Sequence, residues 1–305
     1  MILVTGAAGF IGSKVTKQFI AAGYKTITID NLSTGLLENI PKDTIFIEGS
    51  CGNKSTIEKL NDYPIAGIIH IAGQSSGEVS FEDPQYDLES NTLSTLLLLD
   101  FAKKRNIKRF VFASTMSVYG DVSKLPVEES TIPEPKSFYA CGKLASESYL
   151  RVYAGLGIET YSLRLFNVYG PGQNLENLKQ GMLSIYLAQA LHNDEIIVKG
   201  SGDRFRDFVY IDDVVEAFKI AYFNSYQGFD IFNVCNGYPI TVDSMIAKIF
   251  KNLNYTKPVT FSNNTLGDQN GIYGSNEKIM TNLGWIPKVN FEDGLQSMIE
   301  WGLSK

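Results

Sequence analysis

The sequence predicts an α/β protein, a doubly wound parallel sheet with a smaller mixed α/β half at its C-terminal side. Three observations carry this. Short, nearly continuously apolar β-branched runs alternate with helical stretches through the first half, as expected where helices cover both faces of a sheet. The first strand runs straight into a glycine-rich turn and a helix. The second half keeps strand and helix signals but loses the regular alternation, so the repeating β-α unit belongs to the first half.

In order, Ile2–Thr5 reads as a strand, Ile11–Ala22 as a helix, and Thr26–Asp30 and Thr44–Glu48 as strands. A helix near Ser55–Asn61 precedes the strand Gly67–Ala72, and one long helix is expected over Gln85–Arg105. The strand Arg109–Ser114, a helix near Tyr139–Ala154 and the strand Glu159–Phe166 follow. Beyond the turn-rich joint Tyr169-Gly170-Pro171-Gly172, helices are expected at Met182–Leu191, Asp212–Tyr222, Val242–Leu253 and Glu292–Gly302. Strands are expected there at Ile196–Lys199, Phe208–Ile211, Asp230–Val234 and Val259–Ser262. Residues 1–168 are expected to form the first domain, with 207–236 returning to it, and 169–305 the second. The second should pack over the carboxyl edge of the sheet, where ligands bind in such folds.

The 305 residues are 44% hydrophobic and 20% charged, with a net charge of −6, an ordinary globular composition. The mild acidity leaves no basic footprint for nucleic acid or anionic lipid, and no apolar run approaches the ~18 residues of a membrane span. Two histidines and three scattered cysteines make no zinc pattern and no disulfide framework, so no metal is expected and a reducing compartment is. The N-terminus reads as a strand rather than a signal peptide. The expected setting is the cytoplasm and the expected partner a small molecule.

Gly6-Ala7-Ala8-Gly9-Phe10-Ile11-Gly12 joins the first strand to the first helix. Glycines let a backbone turn tightly against a pyrophosphate, and the helix offers it free N–H groups and the positive end of its dipole. A plain βα turn with small residues is the alternative, but strand–turn–helix is the context a Rossmann dinucleotide site requires. Asp30 ends the second strand, where an acid bonds ribose hydroxyls and repels a 2′-phosphate. Asn31-Leu32-Ser33-Thr34-Gly35 follows it with no Arg, so NAD is expected over NADP, a simple strand-end turn Asp being the alternative. Gly49-Ser50-Cys51 should flank the adenine, and Ile71-Ala72-Gly73-Gln74-Ser75 the nicotinamide ribose, with Ser75 reaching the substrate. His70 reads as structural or cofactor-adjacent.

Tyr139 and Lys143 lie one helical turn apart, on one face. A free tyrosine titrates at about 10 and is a poor base at neutral pH. A nearby ammonium and a positive nicotinamide ring would lower that value, and a drop of about 3 units needs roughly 4 kcal/mol. Tyr139 could then move a hydroxyl proton while a hydride transfers. The strand end Ser114-Thr115-Met116-Ser117-Val118-Tyr119-Gly120 supplies a hydroxyl to bridge substrate and Tyr139. Thr115 is the first choice and Ser114 the second, unless these side chains merely satisfy the turn.

Together these residues resemble the extended short-chain dehydrogenase/reductase family, in its nucleotide-sugar epimerase/dehydratase branch, over nearly the whole chain. The cofactor turn, Asp30–Gly35, His70–Gly73, Asn91, Ser114–Gly120 and Tyr139-x-x-x-Lys143 match in order and spacing. So do Arg164-Leu165-Phe166-Asn167-Val168-Tyr169-Gly170-Pro171, Arg206-Asp207-Phe208-Val209-Tyr210-Ile211-Asp212-Asp213 and Leu283-Gly284-Trp285-x-Pro287. The resemblance implies that Asn91 and Phe166 help hold the cofactor. It also implies that Asn167 and Arg206 contact a nucleotide diphosphate, which suits the forked guanidinium; an ion pair of Arg206 with Asp207 or Asp212 is the alternative. Asp268 and Tyr273 are expected in the sugar pocket. Relatives often pair through the helices containing Asn91–Arg105 and Tyr139–Ala154, so a homodimer is expected.

Branch choice rests on what is absent. Dehydratases and decarboxylases of the family carry Glu or Asp-Glu just before Val-Tyr-Gly, where this chain has Met116 and Ser117, neither able to transfer a proton at neutral pH. A 4-epimerase needs no such acid, because the sugar is oxidised at C4, turns, and is reduced on its other face. The expected activity is therefore NAD-dependent 4-epimerisation of a nucleotide sugar, of the UDP-glucose/galactose type or its N-acetylated form. A 4-reductase, an epimerase of another nucleotide sugar and an inactive NAD-binding regulator are the alternatives. Two departures from the family stand out. Thr265-Leu266-Gly267-Asp268 lacks the Arg of the usual Arg-x-Gly-Asp, and Ser50 replaces an adenine-side acid.

Overall fold

The computed structural model describes residues 1–224, 228–263 and 269–305. From the N-terminus run β1 (Ile2–Thr5), α1 (Phe10–Ala21), β2 (Thr26–Asp30), β3 (Thr44–Glu48), α2 (Lys54–Glu58), β4 (Gly67–His70), α3 (Gly77–Glu82) and α4 (Pro84–Asp87). Then come α5 (Ser94–Lys104), β5 (Arg109–Thr115), α6 (Phe138–Gly155), β6 (Glu159–Leu165), β7 (Asn167–Tyr169), α7 (Met182–His192), β8 (Ile196–Lys199), β9 (Phe205–Arg206) and β10 (Phe208–Tyr210). The chain closes with α8 (Ile211–Phe223), β11 (Phe229–Val234), β12 (Ile240–Thr241), α9 (Val242–Leu253), β13 (Val259–Ser262), β14 (Gly271–Ile272), α10 (Glu277–Leu283) and α11 (Phe291–Leu303).

The main sheet has seven strands in the order β3-β2-β1-β4-β5-β6-β11, every neighbouring pair parallel. The chain moves outward from β1 in both directions, so the ends of β1 and β4 form the crevice where such sheets bind ligands. Strand periodicity sorts the core. Ile2 and Val4 join α1 and α8 on one face, whereas Leu3 joins α5 and α6 on the other. A fully buried aliphatic side chain contributes about 1.5–3 kcal/mol, and Leu3, Val4, Ile27, Ile29, Ile68 and Ile69 are all at 0% exposure. Both faces are therefore committed, which fixes the register.

β11 pairs with β6 across Phe229–Val234 and forms the edge of the main sheet, whereas β10, also within 207–236, pairs with β7 in a separate small sheet. The remaining strands make small sheets, β10-β7, β13-β8 and β12-β9-β14. Trp285 pins this half to α8: its ring is 1% exposed and its indole N–H donates to the Asp213 carbonyl at 2.8 Å. The Asp213 carboxylate accepts from the Lys288 and Val289 N–H groups at 3.0 and 3.1 Å.

The single helix expected over Gln85–Arg105 is a correction. The chain makes α4, then a wide π turn over Leu88–Leu93, then α5. Hydroxyls take up the displaced backbone bonds. The Asn91 carbonyl accepts from Thr95 Oγ1 at 2.7 Å and Ser146 Oγ at 3.0 Å, and the Ser90 carbonyl accepts from Ser94 Oγ at 2.6 Å. The wide turn buries Asn91 fully.

Replacing Trp285 with Ala should cost about 3–5 kcal/mol and release the C-terminal half from α8. Urea unfolding followed by circular dichroism measures it, and a loss under 1 kcal/mol would contradict this packing.

Candidate active site

The cofactor turn is built as its glycines require. Gly6 has φ +73, and a Cβ there would lie 2.8 Å from the Ala72 nitrogen at the end of β4. A Cβ on Gly12 would sit 2.0 Å from the Gly6 carbonyl oxygen. Gly9 caps α1 without any side-chain hydrogen bond, so the first N–H groups of the helix remain free for an anion. The Asp30 carboxylate accepts from Ala8 N–H at 2.9 Å and Leu32 N–H at 2.8 Å. It therefore orders the turn and the following loop, and still has lone pairs for ribose hydroxyls.

Around the turn lies a cleft of about 670 Å³. Its wall includes the predicted cofactor residues Gly6, Gly9, Phe10, Ile11, Gly12 and Asp30, then Asn31, Ser33, Thr34 and Gly35, and Ser50, Cys51, Ile71, Ala72 and Gly73. Burial, aided by the charge of Asp30, pushes the Cys51 thiol up to about 12, so Cys51 is a packing group there. Ser75 is in the wall too, its hydroxyl accepting from Gln180 Nε2 at 2.6 Å.

Thr5 ties the two strand ends of the crevice together. Its hydroxyl accepts from the Ile71 and Ala72 N–H groups, both at 3.1 Å, and lies 2.8 Å from His70 Nδ1. With its lone pairs so engaged, Thr5 donates to Nδ1, and the ring proton sits on Nε2, 3.3 Å from Ser94 Oγ. His70 is fully buried, and burial with the charge of Lys143 holds it well below the usual imidazole range. It is a neutral structural residue.

Ser137 caps α6, accepting from Ala140 N–H at 3.2 Å, which places Tyr139 in the first turn. Thr115 stands close enough to the Tyr139 phenol to favour its anion; its hydroxyl donates to Ser117 Oγ at 3.2 Å and accepts from Ser117 N–H at 3.1 Å. Lys143 is 3% exposed. Its Nζ donates to the Ala113 carbonyl at 3.0 Å and stands 4.7 Å from the centre of the Phe112 ring and 5.9 Å from that of Tyr139. Thus the first-choice hydroxyl, Tyr139 and Lys143 do converge. Ser114 does not join them: its hydroxyl donates to the buried Glu147 at 2.6 Å.

The chain's own groups do not by themselves activate the phenol. They raise Tyr139 to about 12 rather than lowering it. Burial is the main cause and the Asp87 charge adds to it, against the nearby Thr115 hydroxyl. Burial also lowers Lys143 to about 8, with Asp87 and Glu147 holding it up. Lys143 therefore stays mostly protonated at neutral pH, but a buried cation at this distance does not offset the desolvation of a phenolate.

Asp87 was not foreseen. It is 1% exposed, its carboxyl raised by burial. It accepts from Gln74 Nε2 at 2.9 Å and Asn91 Nδ2 at 3.0 Å. Two buried acceptors, Asn91 Oδ1 and Gln173 Oε1, have no hydrogen-bond partner among the described residues. A Cβ on the cleft residue Gly73 would come within 2.3 Å of that Asn91 oxygen, and Gln173 lines the cleft itself. Free helix N–H groups, a carboxylate at the β2 end and orphaned acceptors together fit a dinucleotide.

The profile of the NAD dependent epimerase/dehydratase family matches residues 2–235. The chain belongs to this family. The UDP-glucose 4-epimerase of Mycolicibacterium smegmatis is 31% identical over 99% of this chain and 98% of its own length. The UDP-glucose 4-epimerase of Thermotoga maritima, solved with UDP-glucose, superposes with a TM-score of 0.95 at 34% identity, covering 99% of this chain and 98% of that one. The UDP-glucose 4-epimerase of Thermus thermophilus, solved with NAD, gives 0.91 at 34% identity over 98% of both chains.

The remaining family positions are placed less simply. Asn167 Nδ2 donates to the Asp207 carbonyl at 3.2 Å and lies 3.6 Å from Met116 Sδ. Arg206 is 2% exposed, and its guanidinium donates to the carbonyls of Phe205 at 2.7 Å, Asn270 at 3.3 Å and Gln269 at 2.6 Å. Asp207, raised to about 6 by burial, accepts from Asn236 and Gly237 N–H groups, both at 2.8 Å. Phe166 lies in the core against the Gly274 backbone rather than in the cleft wall. The Tyr273 carbonyl accepts from Val127 N–H at 3.0 Å, and its ring leans toward Phe205. Asp268, with Thr265 of the altered motif, lies outside the described residues.

The depressed His70 gives a pH test. The unfolded ring binds a proton below about 6.5 and the folded one does not. Stability is therefore full above that pH and falls beneath it by about 1.4 kcal/mol per unit. His70→Gln should flatten the decline in melting temperature between pH about 6.5 and 5; an unchanged slope would contradict a neutral His70.

Proposed function

We propose that this chain is an NAD-dependent 4-epimerase of nucleotide sugars, acting on the UDP-glucose/galactose pair or its N-acetylated form through a 4-keto sugar. One observation carries the reading. Thr115, Tyr139 and Lys143 converge beside a dinucleotide turn, while the neighbouring acid positions are the non-acidic Met116 and Ser117. The site can move one proton back and forth but cannot protonate a leaving hydroxyl. Relatives solved with UDP-glucose and with NAD support it.

NAD fits the cleft: Gly6–Gly12 and the α1 N-terminus would hold its pyrophosphate, Asp30 its ribose. When bound it supplies a reversible hydride acceptor and a positive ring. Tyr139 takes the proton of the sugar's 4-hydroxyl, positioned by Thr115, and returns it once the 4-keto sugar has turned. Lys143 keeps a positive charge beneath the phenol. Because the chain alone holds Tyr139 at about 12, the phenolate forms only with further positive charge in the site, which couples proton removal to cofactor binding. Asn167 and Arg206 are proposed on the diphosphate, with Arg206 exchanging its carbonyl partners for phosphate oxygens.

We also infer a cytoplasmic homodimer. Its three cysteines are free. Val152 and Leu156, 60% and 49% exposed at the end of α6, are apolar side chains on a helix that a second copy would cover.

A panel of nucleotide sugars, read by NMR with no cofactor added, tests the function. C4 epimers should interconvert, and strict dependence on added NAD(P)H would contradict epimerisation. Tyr139→Phe should abolish turnover while leaving NAD affinity nearly intact; normal turnover would remove Tyr139 from the mechanism. Asp30→Ala should weaken NAD by about 1.5–3 kcal/mol and narrow its preference over NADP. Equilibrium titration with each cofactor checks this, and an unchanged NAD affinity would exclude Asp30 as ribose ligand.

A further inference from the structure

The third residue on the Tyr139–Lys143 stripe of α6 is Glu147, one turn further on. It is 3% exposed and takes four hydrogen bonds. Ser114 Oγ donates at 2.6 Å, Ser162 Oγ at 3.0 Å, Arg164 Nε at 3.0 Å and Arg164 Nη2 at 2.7 Å. Ser114 lies between Ala113, whose carbonyl accepts from Lys143, and Thr115, which stands near the Tyr139 phenol. Three successive residues of β5 are thus met by three successive turns of one helix.

We propose that Glu147 is a positioning residue of this active site: anchored by Arg164 and Ser162 of β6, it fixes the β5 end against α6, one helical turn from Lys143, so that Thr115 meets Tyr139. The inference rests on Tyr139 and Lys143 forming the reacting pair. It does not follow from fold stability alone. A buried ion pair is weak evidence for stability, since apolar replacements are often neutral or better. Arg164 is held on its other side over the Tyr119 ring at 4.6 Å, so Arg164 anchors Glu147 from β6. The groups facing Lys143 are Asp87 from α4, neutral His70 and the Phe112 ring from the sheet, and Tyr139 and Glu147 from its own helix. Asp87 and Glu147 are the anions among them, and both raise the Lys143 pKa.

Glu147→Gln keeps an acceptor for the two serines but removes the charge. It leaves Arg164 unpaired, so it is paired with Glu147→Gln/Arg164→Met, which removes both charges and restores a foldable interior. In both variants kcat should fall by about ten- to a hundredfold with KM little changed. The alkaline limb of the kcat–pH profile should move to lower pH, because Lys143 loses its proton sooner. The double variant should regain melting temperature without regaining kcat or the limb. Recovery of all three together would make Glu147 purely structural and overturn the proposal, as would an unshifted limb in either variant. A fully active Tyr139→Phe would instead remove the reacting pair on which the inference rests.

Discussion

The contact between helix α6 and the end of β5 is the constraint on which the candidate site depends. Lys143 bonds the Ala113 carbonyl, Glu147 bonds Ser114, and Tyr139 meets Thr115. Each of these side chains is chemically unremarkable alone. Their value comes from rigidity, because a proton carrier displaced by an ångström loses much of its effect. The sheet supplies that rigidity: β5 lies between β4 and β6, with Phe110 and Phe112 fully buried on one face.

Burial has a cost in this arrangement, and its distribution explains the chemistry. Desolvation pushes Tyr139 toward its neutral form and Lys143 toward its own. Asp87 and Glu147 correct the lysine but not the tyrosine. The resting site therefore holds a protonated phenol beside an ammonium, which is a poor base. An added positive charge in the cleft would act directly on the phenol in a low-dielectric setting, where such terms are strong.

Much of this was legible in the sequence because the main signals are periodic. The parallel strands are short apolar runs bounded by turn residues, and Thr26–Asp30, Val242–Leu253 and Val259–Ser262 are found within the predicted bounds. The glycine turn was legible because strand, turn and helix must follow in fixed order. The π turn at Leu88–Leu93 was not. Helical periodicity reads through it, and only the density of Ser90, Asn91, Thr92, Ser94 and Thr95 hints that hydroxyls replace backbone bonds there. Asp87 and Glu147 were missed although each lies one helical turn from a recognised residue, Asn91 and Lys143. Charge on a helix is usually a solvated face, and only the fold shows these two to be interior. Arg206 shows the converse: its type suits phosphate, yet among the described residues it donates to the carbonyls of Phe205, Gln269 and Asn270, which no residue pattern reveals.

The central claim is a self-reversing oxidation at C4 that uses one proton carrier and no external reductant. The most direct measurement follows deuterium placed at C4 of the nucleotide sugar that turns over fastest, with purified protein and no added cofactor. The account predicts that the C4 epimer forms with deuterium retained at C4, as read by NMR and mass spectrometry. Loss of the label to solvent, or an epimer formed only when reduced cofactor is supplied, would contradict it.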